Sequence, residues 1–555
     1  MNPVEALAGA TTPHHLILAP ILVPLIAAAA MLFYEDRQRG AKLAISLVAA
    51  VTVLIASVVL MLDAKGEGPS GGTEVGLYLL GDWPTPFGIN LVLDRLSALM
   101  LFLSALLSVP ALVYASAMWQ GRGQHFHSLF MFLMMGVNGA VLTGDLFNLF
   151  VFFEIMLAAS YGLALHGSGP ERVRAGMHYI AINLLASLFF LIGVAMIYGV
   201  AGTLNMAELA RQLPALDEAQ TPLVHAALAI LAVVFLVKAG MWPMCFWLPS
   251  TYQAAAAPAS AMFAILTKVG VYVLLRLTFL AFAPGEGVSI TFAAQVLVAG
   301  GIATMLFGSA GILGAQNMSR MAGHAVLISS GTMLTVIGLG LQGGGSAMLS
   351  GALFYMVGST LALSALFLLV ELAERGRGAI ASMLALSADL YGAPDEEMET
   401  PPPVPGLLVP AGMTLLALCY ALLVLVLAGL PPLPGFLGKV MMLSGLLEDA
   451  TTGRPQVWVF MAVLIGSGFA TLVALMRVGV QTFWTSVDEQ PPAVMVTEIA
   501  PVIVLIAVIV GMTWQARPIM RYLEATATAL HRPSVYVNGV LEADRTVDRR
   551  QEAGE

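Results

Sequence analysis

Long apolar segments with almost no charge constrain the fold of this chain more than any other feature of its sequence. Only 10% of its 555 residues are Asp, Glu, Lys or Arg, and 59% are hydrophobic. A soluble domain usually carries about 25% charged residues, because polar groups must cover its surface. The composition therefore excludes a soluble enzyme, a nucleic-acid-binding protein and a disordered protein. It predicts an all-α polytopic membrane protein.

The apolar segments have the length of membrane-spanning helices. They continue without alternation over about 20 residues, which is typical of helical spans and not of the alternating strands of a membrane β-barrel. We predict about 14 transmembrane helices, at residues 16–33, 43–62, 95–117, 128–144, 146–166, 175–200, 223–243, 258–282, 290–314, 322–342, 348–372, 406–430, 457–480 and 497–515.

Lys and Arg in the connections predict the orientation of these spans, because short cytoplasmic loops carry an excess of both residues. One set of alternate loops holds Lys65, Arg211 and Arg454. The other set, which we expect to be cytoplasmic, holds Arg37, Arg39, Lys42, Arg122, Arg172, Arg174, Arg320, Arg375, Arg377 and Arg477. Both termini then lie outside. Arg517 and Arg521, beyond the last span, are the exception to this bias.

Three connections have a character of their own. Residues 63–93 are rich in Gly, Pro and Asp and predict a short outer hairpin. Residues 206–213 can form an amphipathic helix. Residues 373–405 form the longest predicted cytoplasmic loop, with a short apolar helix followed by an acidic, Pro-rich linker.

Four ionisable residues lie inside predicted spans and not in loops: Glu154, Lys238, Lys268 and Lys439. A charge inside the membrane is costly unless it is paired or hydrated, so each of these residues is a candidate for function. The alternatives are a side chain that extends to the interface and an ion pair that only stabilises packing. For Glu154 the first alternative is unfavourable, because the residue lies about eight positions, or roughly 12 Å, into its span.

Three lysines and one glutamate are typical of a proton relay and not of a substrate pocket. Burial disfavours the charged form of a lysine, whereas a nearby carboxylate favours it. A Glu–Lys pair can therefore alternate between holding and releasing a proton. We expect Glu154 and Lys238, in the fifth and seventh spans, to approach each other and form such a pair.

Two of the lysines lie beside predicted helix breaks. Lys238 precedes Gly240 and Pro243, and Lys439 follows the prolines of LPPLPGF at 430–436. Broken helices at membrane depth are tolerated only where they are buried in protein or line a hydrated cavity. The breaks fall in the seventh and twelfth spans, and this odd spacing of five spans favours an inverted repeat. The alternative is that proline kinks are simply common in membrane helices.

Three stretches carry a resemblance to a known family: TGDLFNLFVFFEIMLAASYGL at 143–163, FGINLVLDRLSALM at 87–100 and FWLPSTYQAAAAPASAMFAILTKVGVY at 246–272. With these residues the chain resembles the antiporter-like subunits shared by multisubunit Mrp (also called Pha) cation/proton antiporters, respiratory complex I and membrane-bound hydrogenases. The first stretch is more similar to the D-type subunits of Mrp antiporters than to complex I.

The resemblance implies two inverted five-helix bundles, at spans 4–8 and 9–13, with the seventh and twelfth helices broken. It implies that the proton-transferring residues are Glu154, Lys238, Lys268 and Lys439. It also suggests His324 as a relay residue between Lys268 and Lys439, and we consider Asp145 as a residue that shapes the entrance. We accordingly predict four regions, at residues 1–125, 126–283, 284–480 (with the loop 373–405) and 481–555.

Two positions depart from the family pattern. Cys245 stands before FWLP, where relatives often carry His or Tyr, and Gly358 stands where many relatives have a polar residue in the eleventh span. Ser359, Thr360 or a bound water are the alternatives for filling the second gap.

The sequence contains no nucleotide-binding motif, no cysteine set for an iron–sulfur cluster and no haem signature. Its two cysteines, Cys245 and Cys419, stand far apart in apolar segments and predict neither a disulfide framework nor a metal site. We therefore expect no cofactor and no metal.

Together these features predict a secondary-transport subunit, and not an enzyme, in the bacterial plasma (inner) membrane. The resemblance implies exchange of cytoplasmic Na⁺ or K⁺ for external protons within a hetero-oligomer of Mrp/Pha subunits, in contact with the lipid bilayer and without nucleic acid. Two alternatives stay open. One is a proton-pumping component of a redox complex, and the other is a scaffold component whose polar residues only stabilise packing.

Overall fold

The computed structural model describes residues 14–35, 37–65, 75–217, 219–281, 288–391, 411–448, 453–483 and 494–542. Within these residues, 12 helices are long and apolar enough to cross a membrane. Two shorter apolar helices, Phe126–Leu142 and Gly412–Ala428, accompany them. The described part of the chain thus matches the predicted number of spans, and the prediction of an α-helical polytopic membrane protein is confirmed.

The helices of the first half are α1 (Ala19–Leu32), α2 (Arg39–Asp63), α3 (Arg95–Ala117), α4 (Phe126–Leu142), α5 (Leu146–Ala164), α6 (Pro170–Ala201), α7 (Met206–Gln212), α8 (Thr221–Ala239), α9 (Trp247–Ala254) and α10 (Ala257–Ala281). Those of the second half are α11 (Val288–Gly314), α12 (Met318–Leu341), α13 (Ser346–Tyr391), α14 (Ala411–Ala428), α15 (Pro434–Glu448), α16 (Pro455–Phe483), α17 (Val496–Trp514), α18 (Ala516–Leu530) and α19 (Pro533–Leu541).

Both predicted helix breaks are present. α8 ends before Gly240 and is followed by α9, and α14 ends before Gly429 and is followed by α15. The two glycines have φ values of +77° and +79°, which residues with a side chain rarely adopt. The sequences at the breaks are also alike, with VKAGMWP at 237–243 and VLAGLPP at 426–432. The inverted relation of two five-helix bundles and the four regional boundaries stay predictions.

Three helices form the centre of the bundle. The apolar windows of α12 and α13 are completely buried, and that of α10 is almost completely buried. By contrast, α1, α2, α6 and α11 are each less than half buried and present apolar surface outward. Any polar side chain in the apolar windows of α12 or α13 is therefore enclosed by protein.

The predicted hairpin between the second and third spans is also present. β1 (Gly76–Leu79) pairs antiparallel with β2 (Asn90–Leu93). The C-terminal helices lie on the same face of the molecule, because Tyr522 of α18 donates a hydrogen bond to the Arg95 carbonyl at 2.8 Å. Arg517 and Arg521, both in α18, therefore lie on the face that carries the β1–β2 hairpin, which we call the hairpin face. A chain of 14 spans requires this placement, because an even number of spans puts both termini on one side.

Two predicted connections can be compared with the structure. The amphipathic segment at 206–213 forms α7, as expected. The cytoplasmic loop predicted to begin at residue 373 begins later, because α13 continues without a break to Tyr391. Residues 378–391 are rich in Ala and Leu, which favour continuation of a helix beyond the membrane. The acidic, Pro-rich end of this loop lies outside the described residues.

Candidate functional site

Glu154 lies on α5 and contacts α6. The hydroxyl of Ser187 donates a hydrogen bond to Glu154 Oε1, and the glutamate is partly buried. α5 is held close to α4 by glycine, since a Cβ at Gly136 would come within 2.6 Å of the Met156 backbone nitrogen. The carboxylate therefore has a polar partner on α6, and the helix that carries it packs tightly against α4.

Lys238 lies in the last turn of α8 and is 5% exposed. Its Nζ lies 3.5 Å from Asn183 Oδ1 on α6 and 5.4 Å from the centre of the Phe153 ring on α5. The C-terminal end of a helix carries partial negative charge, which favours an ammonium group there. An amide oxygen, an aromatic face and a helix end thus compensate the buried charge.

Glu154 and Lys238 are connected through α6. No ion pair within 4.0 Å joins them among the described residues, so the expected direct pair is not formed in this conformation. Their partners, Ser187 and Asn183, are four residues apart and therefore lie on the same face of α6. Sequence reasoning missed both partners. Two polar residues with helical spacing in an otherwise apolar span are the signal that could have identified them.

Lys268 lies on α10 at the centre of the bundle and is completely buried. Its Nζ donates to Ser329 Oγ at 2.9 Å and lies 3.4 Å from Ser330 Oγ, both on α12. Ser329 in turn is 2.9 Å from Ser359 Oγ on α13. Of the two side chains considered for filling the gap at Gly358, Ser359 is the one that joins this cluster. Hydroxyl groups are the hydrogen-bond partners of Lys268 within the described chain.

Lys439 lies on α15 and reaches back to the other side of the break. Its Nζ donates to the carbonyl of Ala428, the last residue of α14, at 2.9 Å. Glycine makes room for the side chain, because a Cβ at Gly468 would come within 2.7 Å of Nζ. At the first break, Trp247 of α9 similarly donates to the Val237 carbonyl of α8 at 3.3 Å. In both cases the second half-helix caps the first.

His324 is buried on α12, five residues before Ser329 and thus about 7.5 Å away along the helix axis. Its ring packs against Phe307, with ring centres 6.0 Å apart, and against Gly311, where an added Cβ would overlap the ring. Its Nδ1 has no hydrogen-bond partner in the part of the chain that the structure describes. This free nitrogen is compatible with the suggested relay role, which stays a prediction.

Asp145 lies on the hairpin face and caps the start of α5. Its Oδ1 accepts a hydrogen bond from the Asn148 backbone N–H at 2.8 Å, and its backbone pairs with Asn205. Burial raises the pKa of Asp145, and the N–H groups of Asn148 and Phe147 act in the opposite direction. The residue stands at one end of the span that carries Glu154, and its role at the entrance stays a prediction.

A known family accounts for the part of the chain that carries these residues. The family model described as "NADH:quinone oxidoreductase/Mrp antiporter, TM" matches residues 143–470, which include all six candidate residues above. The chain belongs to this family. The resemblance inferred from the sequence is therefore confirmed.

Two relatives in the NADH:quinone oxidoreductase/Mrp antiporter family are similar over almost their entire length. A protein of Rhizobium meliloti, named as the D-type subunit of a probable K⁺/H⁺ antiporter, is 52% identical, with 96% of this chain and 98% of the relative covered. A protein of Alkalihalophilus pseudofirmus, named as the D-type subunit of a Na⁺/H⁺ antiporter, is 32% identical, with 95% and 100% covered. Both relatives are bacterial, and the family and the apolar spans place the chain among multi-pass membrane proteins.

Solved structures agree with this assignment. A chain of the Mrp complex from Dietzia sp. DQ12-45-1b has a TM-score of 0.79 and 25% identity, with 95% of this chain and 99% of that chain covered. A chain of respiratory complex I from Thermus thermophilus has a TM-score of 0.71 and 22% identity, with 93% and 99% covered. The second likeness concerns the fold alone.

Proposed function

We propose that this chain is the D-type subunit of a multisubunit monovalent cation/proton antiporter and that it conducts the protons. The relative from Rhizobium meliloti, 52% identical over nearly the whole chain, carries this proposal. Because that relative is named as part of a K⁺/H⁺ antiporter, K⁺ is the first cation to test, and Na⁺ is the second. In this role the chain is a secondary transporter and not an enzyme.

Within this function we assign proton transfer to Glu154, Lys238, Lys268 and Lys439. Each lysine is almost completely buried and has a polar partner that can accept a hydrogen bond: an amide oxygen, a serine hydroxyl or a backbone carbonyl. Burial disfavours the charged form, so a lysine in these positions can release its proton when a neighbouring charge changes. Glu154 supplies the negative charge nearest to Lys238 in this scheme.

The proposal extends to the assembly. The other subunits of the same antiporter are the proposed partners, since both named relatives are single subunits of antiporters. The bilayer and the exchanged ions are the remaining partners. The plasma membrane of a bacterium is the proposed location.

Cation-driven proton movement in everted membrane vesicles tests this function. With the complete set of subunits expressed, adding K⁺ or Na⁺ to energised vesicles is expected to dissipate ΔpH, reported by a fluorescent dye. Vesicles that contain this chain alone serve as the control and are expected to show no exchange. If K⁺, Na⁺ and Li⁺ leave ΔpH unchanged and the vesicles are acidified only when a redox substrate is added, the result would instead favour the proton-pumping alternative.

Replacement of Lys439 tests the second helix break. Lys439→Ala is expected to reduce exchange at least about tenfold, because alanine can neither carry a proton nor compensate the end of α14. The complex should still assemble, because a buried charge costs free energy and alanine removes that cost. Lys65→Ala, which also removes one lysine but outside the spans, is the matched control. Normal exchange in an assembled Lys439→Ala complex would remove this residue from the proton route.

A further inference from the structure

A cavity of about 340 Å³ lies apart from the relay, between the first turn of α2 and the connection from α3 to α4. Arg39, Lys42, Arg122, His125 and His127 line it. No aspartate or glutamate is among the described residues that form its lining. A concave site with cationic and imidazole groups on its walls and no carboxylate is suited to an anion.

The floor of this cavity contains a buried histidine whose two ring nitrogens both face oxygen. Ser46 Oγ donates to the Leu43 carbonyl at 2.9 Å and lies 3.0 Å from His127 Nδ1. Gln120 Nε2 donates to the Ser116 carbonyl, which turns its Oε1 toward His127 Nε2 at 3.3 Å. These two contacts hold the ring of His127 in the floor of the cavity, and the charges that attract an anion belong to its walls.

The walls offer guanidinium groups that stay accessible. Arg39 and Arg122 are both exposed at the cavity mouth, whereas Lys42 is 5% exposed and lies deeper. The guanidinium of Arg122 is positioned over the Trp119 ring at 4.6 Å, which restricts its orientation. A planar guanidinium binds two oxygens of one phosphate at once, and this match is better than that of a lysine.

The position of the cavity in the membrane indicates where such a phosphate comes from. α2 begins at Arg39 and α4 begins at Phe126, so the cavity lies at the level where two spans enter the bilayer. Phe33 at the end of α1 is 91% exposed, and α2, which begins at the cavity, exposes Val48 and Ile55 further along its length. A phospholipid site requires basic groups at the depth of the lipid headgroups and apolar surface for the acyl chains. The cavity lies at that depth on the arginine-rich face, and α1 and α2 provide the apolar surface.

We propose that this cavity binds the phosphate of an anionic phospholipid, with Arg39 and Arg122 as its donors and with the acyl chains along the exposed surface of α1 and α2. The site is separate from the relay, because its lining residues belong to the start of α2, the connection from α3 to α4 and the start of α4, whereas the relay residues lie on α5, α8, α10 and α15. If the lipid site were disproved, the proposed transport function would therefore still stand.

Lipid titration of the purified complete complex, followed by native mass spectrometry, tests this site. The probes are phosphatidylglycerol, phosphatidylcholine with the same acyl chains, and inorganic phosphate. Arg39→Gln is the test variant because the residue is exposed and its loss should not disturb folding. Arg174→Gln is the matched control, since Arg174 is exposed on the same face and does not line the cavity.

The wild-type complex is expected to retain phosphatidylglycerol in preference to phosphatidylcholine. Arg39→Gln should weaken the retention of phosphatidylglycerol about tenfold, because a charge-assisted hydrogen bond is lost. Arg174→Gln should bind like the wild type. Equal retention by wild type and Arg39→Gln would overturn the site. Displacement of the lipid by millimolar inorganic phosphate, with the phosphate itself lost in Arg39→Gln, would keep the anion site and overturn its lipid source.

Discussion

Glu154→Gln in the assembled complex is expected to lower cation-driven proton exchange at least about tenfold. Glutamine keeps the size of the side chain and an oxygen that can accept from Ser187, so the contact to α6 can persist while the negative charge is lost. Without a carboxylate nearby, the charged form of Lys238 is less favourable. A change of about 1.4 kcal/mol in the free energy of protonation already changes the ratio of the charged to the neutral form tenfold. Glu154→Asp keeps the charge and should retain partial activity.

Three further variants separate the charge of Glu154 from its packing. Ser187→Ala removes the hydrogen bond and leaves the carboxylate, so its loss of exchange should be smaller than that of Glu154→Gln. Glu171→Gln makes the same chemical change at an exposed position of α6 and should behave like the wild type. Lys238→Arg should be as inactive as Glu154→Gln, because guanidinium does not release its proton. Exchange is measured as dye-reported ΔpH at matched membrane levels, and a fully active Glu154→Gln complex would make the glutamate structural.

Lys268→Met is expected to abolish exchange. Lys268 is the completely buried charge between the two helix breaks, and hydroxyl groups are its described partners. Methionine has a similar length and no titratable group. Since a buried charge without a counter-charge costs free energy, which an apolar side chain does not, the complex should still assemble, and any lost activity reports on proton transfer.

A matched change in the same cluster keeps this second result interpretable. Ser330→Ala removes the longer contact of Lys268, at 3.4 Å, and leaves the contact to Ser329, so most of the exchange should remain. Lys268→Arg should be inactive for the same reason as Lys238→Arg. Both are measured in the vesicle assay beside the amount of complex recovered by affinity purification. Wild-type exchange by an assembled Lys268→Met complex would show that protons bypass the centre of the bundle.

The parts of the fold that could be predicted from the sequence are those with a local physical cause. Uninterrupted apolar runs define the spans, because the bilayer requires about 20 such residues. Gly240 with Pro243 and the prolines at 431, 432 and 434 mark the breaks, because glycine weakens a helix and proline interrupts its hydrogen bonds. The four ionisable residues within the spans are recognisable for the same reason, since each is an isolated exception within an apolar run.

The contacts within the site were not predictable from one sequence. Serine and asparagine can form hydrogen bonds across many helix contacts in a membrane protein, and only the packing of α6 brings Asn183 to Lys238 and Ser187 to Glu154. The contact of Lys439 with the Ala428 carbonyl likewise depends on how α15 folds back against α14. α13 ends later than predicted because a helix that leaves the membrane keeps its backbone hydrogen bonds, so the loss of hydropathy does not mark its end.

The enclosure of the lysines has a consequence for the chemical durability of the protein. The chain has five lysines, and Lys238, Lys268 and Lys439 are all less than a tenth exposed, as is Lys42. In acylation, glycation and carbamylation a neutral amine attacks a reagent from solution, and each reaction would remove the titratable group of a lysine in the proposed proton route. Because helices shield these amines, we expect Lys65 to react before the other lysines. Chemical modification should therefore accumulate at the surface of the protein before it reaches the centre of the bundle.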